Sequence, residues 1–112
     1  MTVQAFAQAL SLQVFHLAEP DREITGGYCG DLLSWVMGRA PEGCAWLTIM
    51  SNDNVAAVAS LADVACVILA EGVRPEEDLL GKARGHGVNV LGYEGGSYQL
   101  SVALADTLRG SE

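Results

Sequence analysis

Two hydrophobic periodicities alternate along the second half of this sequence. Apolar runs with the length and composition of buried strands occupy residues 46–50, 66–70 and 88–91. Between and after these runs, apolar residues recur every three to four positions, which is the spacing of an amphipathic helix. Strands that alternate with helices are typical of a parallel sheet with right-handed crossovers, so this half of the chain predicts that arrangement.

The first part of the chain predicts a helix, two strands and a second helix. The first helix covers residues 2–10, with Thr2 as its N-cap, and the strands cover residues 12–16 and 23–25. Asp31 is in position to cap the second helix, whose apolar side chains are spaced three to four residues apart. The complete predicted order is therefore αββαβαβαβα.

That order predicts the fold class α/β, in a single domain over residues 1–112 with a mostly parallel sheet in a three-layer-like arrangement. Half of the residues are hydrophobic and only 6% are aromatic. The core is therefore expected to consist mainly of valine, leucine, isoleucine and alanine, which suits a parallel sheet that is buried on both faces. A chain of 112 residues is long enough for one such core.

The charge of the chain argues against two classes of partner. Its formal net charge is −8, and its six Lys and Arg residues are scattered, whereas nucleic acids and anionic membranes require a basic stripe. No apolar run reaches the roughly 18 residues of a membrane-spanning helix, and the first six residues lack the basic start of a secretory signal. Three cysteines without a close pair complete the prediction of a reduced, cytoplasmic protein.

Polar or glycine-rich corners follow four of the predicted strands. In an open parallel sheet the carboxyl ends of the strands lie at one edge, and ligands bind in the crevice there. We therefore expect the four corners to converge on one pocket that is lined by main-chain amides. The predicted ligand-binding residues are Thr25, Gly26, Gly27, Ser51, Asn52, Asn54, Glu71, Gly72 and Tyr93.

Each corner also has a purely structural interpretation. Asn52 and Asn54 precede a helix, where free amides bind phosphate groups, but asparagine in this position also serves as a simple helix cap. Gly26 and Gly27 either cradle a ligand or form a strained turn. Glu71 is either a polar anchor in the crevice or the point at which its strand leaves the core. The sequence alone leaves these alternatives open.

The sequence predicts no catalytic constellation. Cys29 lies in a glycine-rich corner, but no recognised spacing links it to His16 or His86. The cysteines and histidines also lack metal-site spacing, and the one Gly-Lys pair, at residues 81–82, is not followed by the Ser or Thr of a phosphate-binding loop. We therefore predict no enzyme, no metal and no cofactor, and an enzyme that uses Cys29 is only a third hypothesis.

With these corners defined, the chain resembles a DRTGG-type domain across nearly its whole length. The likeness is carried by the Asp-Arg and Thr-Gly-Gly-Tyr runs within residues 21–28, and by residues 49–55, 67–72 and 74–75. The resemblance implies an accessory domain without established catalysis, often dimeric, with a fold of the MurF and HPr-kinase N-terminal-domain type. The chain is also similar to small stand-alone proteins found beside iron-hydrogenase and redox-complex genes in anaerobic bacteria.

Two runs depart from the pattern of the longer DRTGG-type proteins. Those proteins tend to carry Gly-Asp-Arg after the third strand, where this chain has Ser51-Asn52-Asp53. They also tend to end the next strand in Thr-Gly-Gly, where this chain has Ala-Glu-Gly at residues 70–72. The kinase half of HPr kinase/phosphorylase has no counterpart in the sequence, so the resemblance does not imply kinase activity.

Two functional hypotheses follow. The first is a non-catalytic regulatory or accessory domain, as a homodimer, that binds a small anionic or nucleotide-like ligand at the carboxyl ends of its strands. The alternative is an interaction module that docks on a redox enzyme complex of the hydrogenase type, which the acidic charge and the implied gene neighbourhood favour. The first hypothesis expects Thr25, Ser51 and Tyr93 to border one hollow, whereas the second does not.

Overall fold

The computed structural model describes residues 1–110, and its elements follow the predicted order. No helix within these residues is long and apolar enough to cross a membrane. The helices are α1 (Val3–Ala9), α2 (Leu33–Arg39), α3 (Asn54–Ala62), α4 (Glu77–His86) and α5 (Ser97–Gly110). The strands are β1 (Gln13–His16), β2 (Gly26–Cys29), β3 (Cys44–Thr48), β4 (Cys66–Leu69) and β5 (Val90–Gly92).

The strands form one sheet in the order β1-β5-β4-β3-β2. Strands β2, β3, β4 and β5 are parallel neighbours, whereas β1 pairs antiparallel with β5 at one edge. Helices α2, α3 and α4 pack on one face of the sheet, and α1 and α5 pack on the other. The predicted α/β fold class with a mostly parallel sheet is therefore confirmed.

The two covered faces explain why the central strands are apolar at every position. Trp46 and Val67 contribute to the core beneath α2, α3 and α4, whereas Leu47 and Ile68 contribute to the core beneath α1 and α5. Successive side chains of a strand point to opposite faces, so a strand between two cores has no position for an exposed side chain. Each large apolar side chain buried in this way contributes about 1.5–3 kcal/mol.

The second strand begins later than the sequence predicts. β2 starts at Gly26, which pairs with Cys44 at the start of β3, so the predicted strand at residues 23–25 is wrong. The predicted corner at Gly26 and Gly27 is therefore part of the strand. Glycine is a poor strand residue, but a Cβ at Gly27 would lie 2.6 Å from Cδ2 of Leu104 on α5. The close approach of α5 explains why a glycine occupies this position.

Residues 17–25, the amino-end strap, connect β1 to β2 at opposite edges of the sheet. The strap crosses the amino ends of the central strands, where the buried side chain of Asn89 holds it. Oδ1 of Asn89 accepts hydrogen bonds from the amides of Ala18 and Glu19 at 2.7 and 2.8 Å. Its Nδ2 donates to the carbonyls of Glu19 and Ala65 at 2.9 and 3.0 Å. One side chain thus ties the strap to the segments that lead into β4 and β5.

Candidate functional site

The corners after β3, β4 and β5 form one continuous ledge at the carboxyl edge of the sheet. The amide of Gly72 donates to the carbonyl of Tyr93 at 3.0 Å, which joins the corner after β4 to the corner after β5. The hydroxyl of Ser51 donates to the carboxylate of Glu76 at 3.1 Å, and the amide of Glu76 donates to the carbonyl of Ser51 at 3.0 Å. These bonds link the corner after β3 to the segment that enters α4.

Three of the nine predicted ligand-binding residues lie away from this ledge. Thr25, Gly26 and Gly27 are at the amino end of β2, because β2 begins at Gly26 and runs parallel to β3. The amide of Thr25 donates to the carbonyl of Gly43, immediately before β3, at 2.9 Å. Thr25 is therefore at the opposite end of the sheet from Ser51. The predicted convergence of all four corners on one hollow is wrong, so the first hypothesis fails in the form that includes Thr25. Only a ligand site made by the corners after β3, β4 and β5 remains open to it, and the ligand contacts of individual residues stay predictions.

The carboxylate of Glu71 lies at the amino terminus of α5, where an anionic ligand would otherwise bind. Its backbone is left-handed, with a φ of 61°, and its amide donates to the carbonyl of Gly95 at 2.8 Å. Its carboxylate Oε2 accepts from the amide of Ser97, the first residue of α5, at 3.4 Å. A carboxylate at this position complements the helix dipole and occupies the place that a phosphate group would take. Glu71 thus helps to cap α5, a role that the sequence analysis did not predict for it.

In the corner after β3, the side chain of Asn52 accepts a hydrogen bond from the first amide of α3. Oδ1 of Asn52 accepts from the amide of Asn54, the first residue of α3, at 3.0 Å. The amides of Val55 and Ala56 donate to the carbonyls of Asn52 and Asp53, both at 3.2 Å. The N-cap residue of α3 is Asp53, which makes no side-chain cap hydrogen bond, so Asn52 satisfies the first helical amide from the position before the cap. A ligand contact of Asn52 stays a prediction, and Asn54 is exposed at the start of the helix.

Asp31 positions the exit of β3, a role that sequence reasoning missed. The N-cap residue of α2 is Leu32, so the predicted helix cap at Asp31 is wrong. The carboxylate of Asp31 instead accepts from the hydroxyl of Thr48 at 2.7 Å and from the amide of Ile49 at 3.0 Å. An aspartate just after one strand and a threonine at the end of the next are the signal that could have predicted this link.

Carboxylates dominate the carboxyl edge. Arg74 is the basic residue among these corners. Its guanidinium carbon is 5.4 Å from the ring centre of Phe15. The other Lys and Arg residues of the described chain lie in the strap or in the C-terminal halves of helices. One guanidinium and five carboxylates give the corner segments a formal charge of −4, and Glu77 and Asp78 in the first turn of α4 make this edge more negative still. The carboxylates belong to Asp31, Asp53, Glu71, Glu76 and Glu94.

A separate groove opens between β2 and α5, on the face of the sheet rather than at its edge. Its volume is about 240 Å³, and its walls include Gly27, Cys29, Leu47 and Leu104. The residues that line it are uncharged, and most of them are apolar. Gly27 is thus the one predicted ligand-binding residue beside this groove, which lacks the charge that an anionic ligand would require.

The structure separates Cys29 from both histidines. Cys29 ends β2 at one edge of the sheet, whereas His16 ends β1 at the other edge and His86 ends α4 at the amino end. Burial raises the pKa of Cys44 to about 11, and it also raises the pKa of the fully buried Cys66. Because the thiolate is the nucleophile, these environments do not favour cysteine chemistry. Residues 1–110 also contain no cluster of three or more His, Cys, Asp or Glu side chains suited to a metal.

The Asp-Arg and Thr-Gly-Gly runs have structural roles at the amino end. The guanidinium of Arg22 donates to the carboxylate and to the carbonyl of Asp63 at 3.0 and 2.9 Å, which fastens the strap to the end of α3. The hydrogen bond from Arg22 holds the pKa of the Asp63 carboxyl below its usual value. The hydroxyl of Thr25 donates to the carbonyl of Glu42 at 3.1 Å. These runs therefore anchor the strap and start β2.

No protein-family model and no curated protein matches the sequence. The fold is similar to the crystal structure of the CBS and DRTGG domains of the regulatory region of Clostridium perfringens pyrophosphatase, with a TM-score of 0.72 and 14% identity. The match covers 92% of this chain and 45% of that chain, so this chain spans less than half of its length. That structure is a complex with the activator diadenosine tetraphosphate. The likeness confirms the DRTGG-like fold that the resemblance implied.

Proposed function

We propose that this chain is a non-catalytic regulatory domain that binds a nucleotide-like ligand at the carboxyl edge of its sheet. The observation that carries the proposal is the joining of three strand corners into one ledge by main-chain and side-chain hydrogen bonds. Ligands of open parallel sheets bind at this edge. The nucleotide activator of the structurally similar regulatory region supports the same role. The proposed contacts are Ser51, Asn52, Asn54, Glu71, Gly72 and Tyr93.

The charge of the edge limits how such a ligand binds. Its formal charge of −4 repels a free polyphosphate, and Glu71 already occupies the amino terminus of α5. The guanidinium of Arg74 is the group among these corners that attracts phosphate, because the amides of Asn54, Val55 and Ala56 at the start of α3 already donate within the chain. The ligand is therefore expected to bind as its Mg²⁺ complex, which neutralises phosphate charge, with its base against the ring of Tyr93.

Isothermal titration calorimetry with diadenosine tetraphosphate tests this proposal. Binding is expected in the presence of Mg²⁺ and is expected to be lost or strongly weakened in EDTA. Asn54→Asp adds a negative charge at the start of α3 and is expected to weaken binding about tenfold. Gln4→Glu, the same amide-to-acid change on α1 at the amino end, is the matched control and should leave the affinity unchanged.

Two results would contradict nucleotide binding at this edge. One is the absence of measurable heat, with or without Mg²⁺, for diadenosine tetraphosphate and for adenosine mono-, di- and triphosphate. The other is an equal loss of affinity in Asn54→Asp and Gln4→Glu, because a local effect at the start of α3 cannot act equally at the amino end.

Docking on a redox enzyme complex of the hydrogenase type is the second proposal. The net charge of −8 supports it, because an acidic surface complements a basic partner. This proposal does not require the carboxyl edge to hold a ligand. If calorimetry detects no nucleotide, and the chain binds a purified hydrogenase-type complex with an affinity that falls as salt rises, docking replaces ligand binding as the function.

A further inference from the structure

The groove between β2 and α5 lies on the outermost strand of the sheet. Within the described chain, β2 pairs with β3 alone. A Cβ at Gly27 would meet Leu104 of α5, and side chains two residues apart on a strand share a face, so Cys29 is on the side of α5 as well. The floor of the groove is therefore β2, its wall is α5, and it lies at the rim of the sheet.

The outer side of β2 offers unpaired main-chain groups. An edge strand bonds to its one neighbour with half of its N–H and C=O groups and turns the other half outward. The sequence of β2, Gly26–Cys29, contains neither a charge nor a proline, which are the residues that commonly block an edge. At the opposite edge, the pairing of β1 with β5 shifts register between Val14 and His16, which interrupts that edge. The edge that suits the addition of a strand is therefore β2.

The groove has room for one large apolar side chain. Its volume is about 240 Å³, whereas an apolar cavity of about 150 Å³ is enough to hold benzene. Ser101, Ala105 and Leu108 line it from α5, and their spacing of four and three residues places them on one side of the helix. The hydroxyl of Ser101 already donates to the carbonyl of Ser97 at 2.8 Å. The part of an occupant that enters the groove is therefore apolar.

The two ends of β2 are acidic, whereas the groove between them is neutral. The strand begins at the strap, which carries three carboxylates and one guanidinium. It ends at the carboxyl edge, whose corner segments have a formal charge of −4. None of the described residues that line the groove is charged. An extended segment with an uncharged centre and basic ends complements this distribution of charge.

We propose that such a segment of a partner protein adds to β2 as an additional strand and places one apolar side chain in the groove. Main-chain hydrogen bonds to the outer side of β2 provide affinity, and the groove selects the side chain. The partner segment therefore has apolar residues at alternate positions in its centre, with Lys or Arg at its ends. This binding goes beyond the proposed nucleotide binding and does not depend on it.

Selection of random short peptides by phage display on the full wild-type chain tests the proposal. The enriched sequences are expected to alternate apolar residues between basic ends. In calorimetry with a synthetic peptide of the enriched sequence, Ala105→Arg sets a charge in the neutral groove and is expected to weaken binding at least about tenfold. Leu61→Arg adds the same charge on α3, at a position that is 73% exposed on the other face of the sheet, and should leave the affinity unchanged.

Two N-methylated forms of the selected peptide test the main-chain pairing. Successive amides of a strand point to opposite sides, so methyl groups on one alternate set of amides block pairing with β2, whereas methyl groups on the other set do not. One form is expected to lose binding at least about tenfold, and the other is expected to keep it. The unmodified peptide should also slow amide exchange within Gly26–Cys29. Circular dichroism verifies that each variant of the chain is folded.

Three results would overturn strand addition at β2. The first is a selection that enriches no sequence on the wild-type chain. The second is equal binding of the two methylated forms, because the groove then holds a side chain or a small apolar molecule without a paired strand. The third is complete protection of the Gly26–Cys29 amides in the chain without peptide, because a second copy of the chain then already covers the edge.

Discussion

Replacing Asn89 by aspartate is expected to lower the free energy of unfolding by about 3 kcal/mol or more. The side chain is 2% exposed and makes four hydrogen bonds, two as acceptor and two as donor. An aspartate of the same shape keeps the two bonds that Oδ1 accepts, but it sets a second carboxylate oxygen against the carbonyls of Glu19 and Ala65. Both donor bonds become contacts between acceptors in a site closed to water, and the strap is released.

Asn52→Asp is the matched control for this change. Oδ1 of Asn52 accepts from the amide of Asn54 at the start of α3, where a carboxylate is also a good cap and the helix dipole favours negative charge. The free energy of unfolding is therefore expected to change by less than about 0.5 kcal/mol. Urea unfolding at pH 7, followed by circular dichroism, measures both variants. Equal losses in the two would contradict the anchoring role of Asn89.

Gly43→Ala is expected to cost about 2–3 kcal/mol of unfolding free energy. Gly43 has a φ of 81°, and a Cβ there would lie 2.7 Å from the hydroxyl oxygen of Thr25. The left-handed backbone strains any side chain, and the crowding forces Thr25 away from its hydrogen bond with the carbonyl of Glu42. The variant therefore combines backbone strain with partial release of the strap.

Gly87→Ala separates these two contributions. Gly87 is also left-handed, with a φ of 69°, but a Cβ there would meet no atom within 4 Å. Only the backbone strain remains, so the expected cost is about 1 kcal/mol. The same urea experiment measures both glycine variants. If Gly87→Ala costs as much as Gly43→Ala, the contact with Thr25 contributes nothing and the account of the strap is wrong.

The element order could be predicted because its strongest signals are local. Residues 66–70 are apolar throughout, as a strand between two cores must be, and β4 lies within them. The end of α4 has an equally local cause: the sequence offers Gly85 or Gly87 as the helix stop, and the left-handed backbone of Gly87 ends the helix. Such features depend on the neighbours in the chain, which the sequence displays directly.

The start of β2 could not be predicted in this way, because its cause is a contact between distant parts of the chain. Gly26 and Gly27 resemble a turn when only their neighbours are considered. Leu104 on α5 approaches Gly27 so closely that a side chain would not fit, and this contact spans most of the chain. Because of this error, the predicted site placed Thr25, Gly26 and Gly27 at the carboxyl edge, although they lie at the amino end.

The charge of the ligand edge also depends on the assembled fold. Glu71 caps α5 only because the sheet places β4 beside β5, and Asp31 reaches Thr48 only because β2 lies beside β3. Sequence reasoning identified Glu71 and Gly72 as a corner. It did not predict that the corner segments at this edge carry five carboxylates and one basic residue, Arg74. The Mg²⁺ requirement of the proposed ligand follows from this arrangement.

Amide chemical shifts of the isotope-labelled chain, titrated with diadenosine tetraphosphate and Mg²⁺, test the central claim most directly. That claim is that the carboxyl edge binds the ligand, whereas the Thr-Gly-Gly run is structural. The account predicts the largest shifts at residues 51–54, 71–72 and 93–95, with little change at residues 25–27. Shifts concentrated at residues 25–27, with the carboxyl edge unaffected, would contradict it.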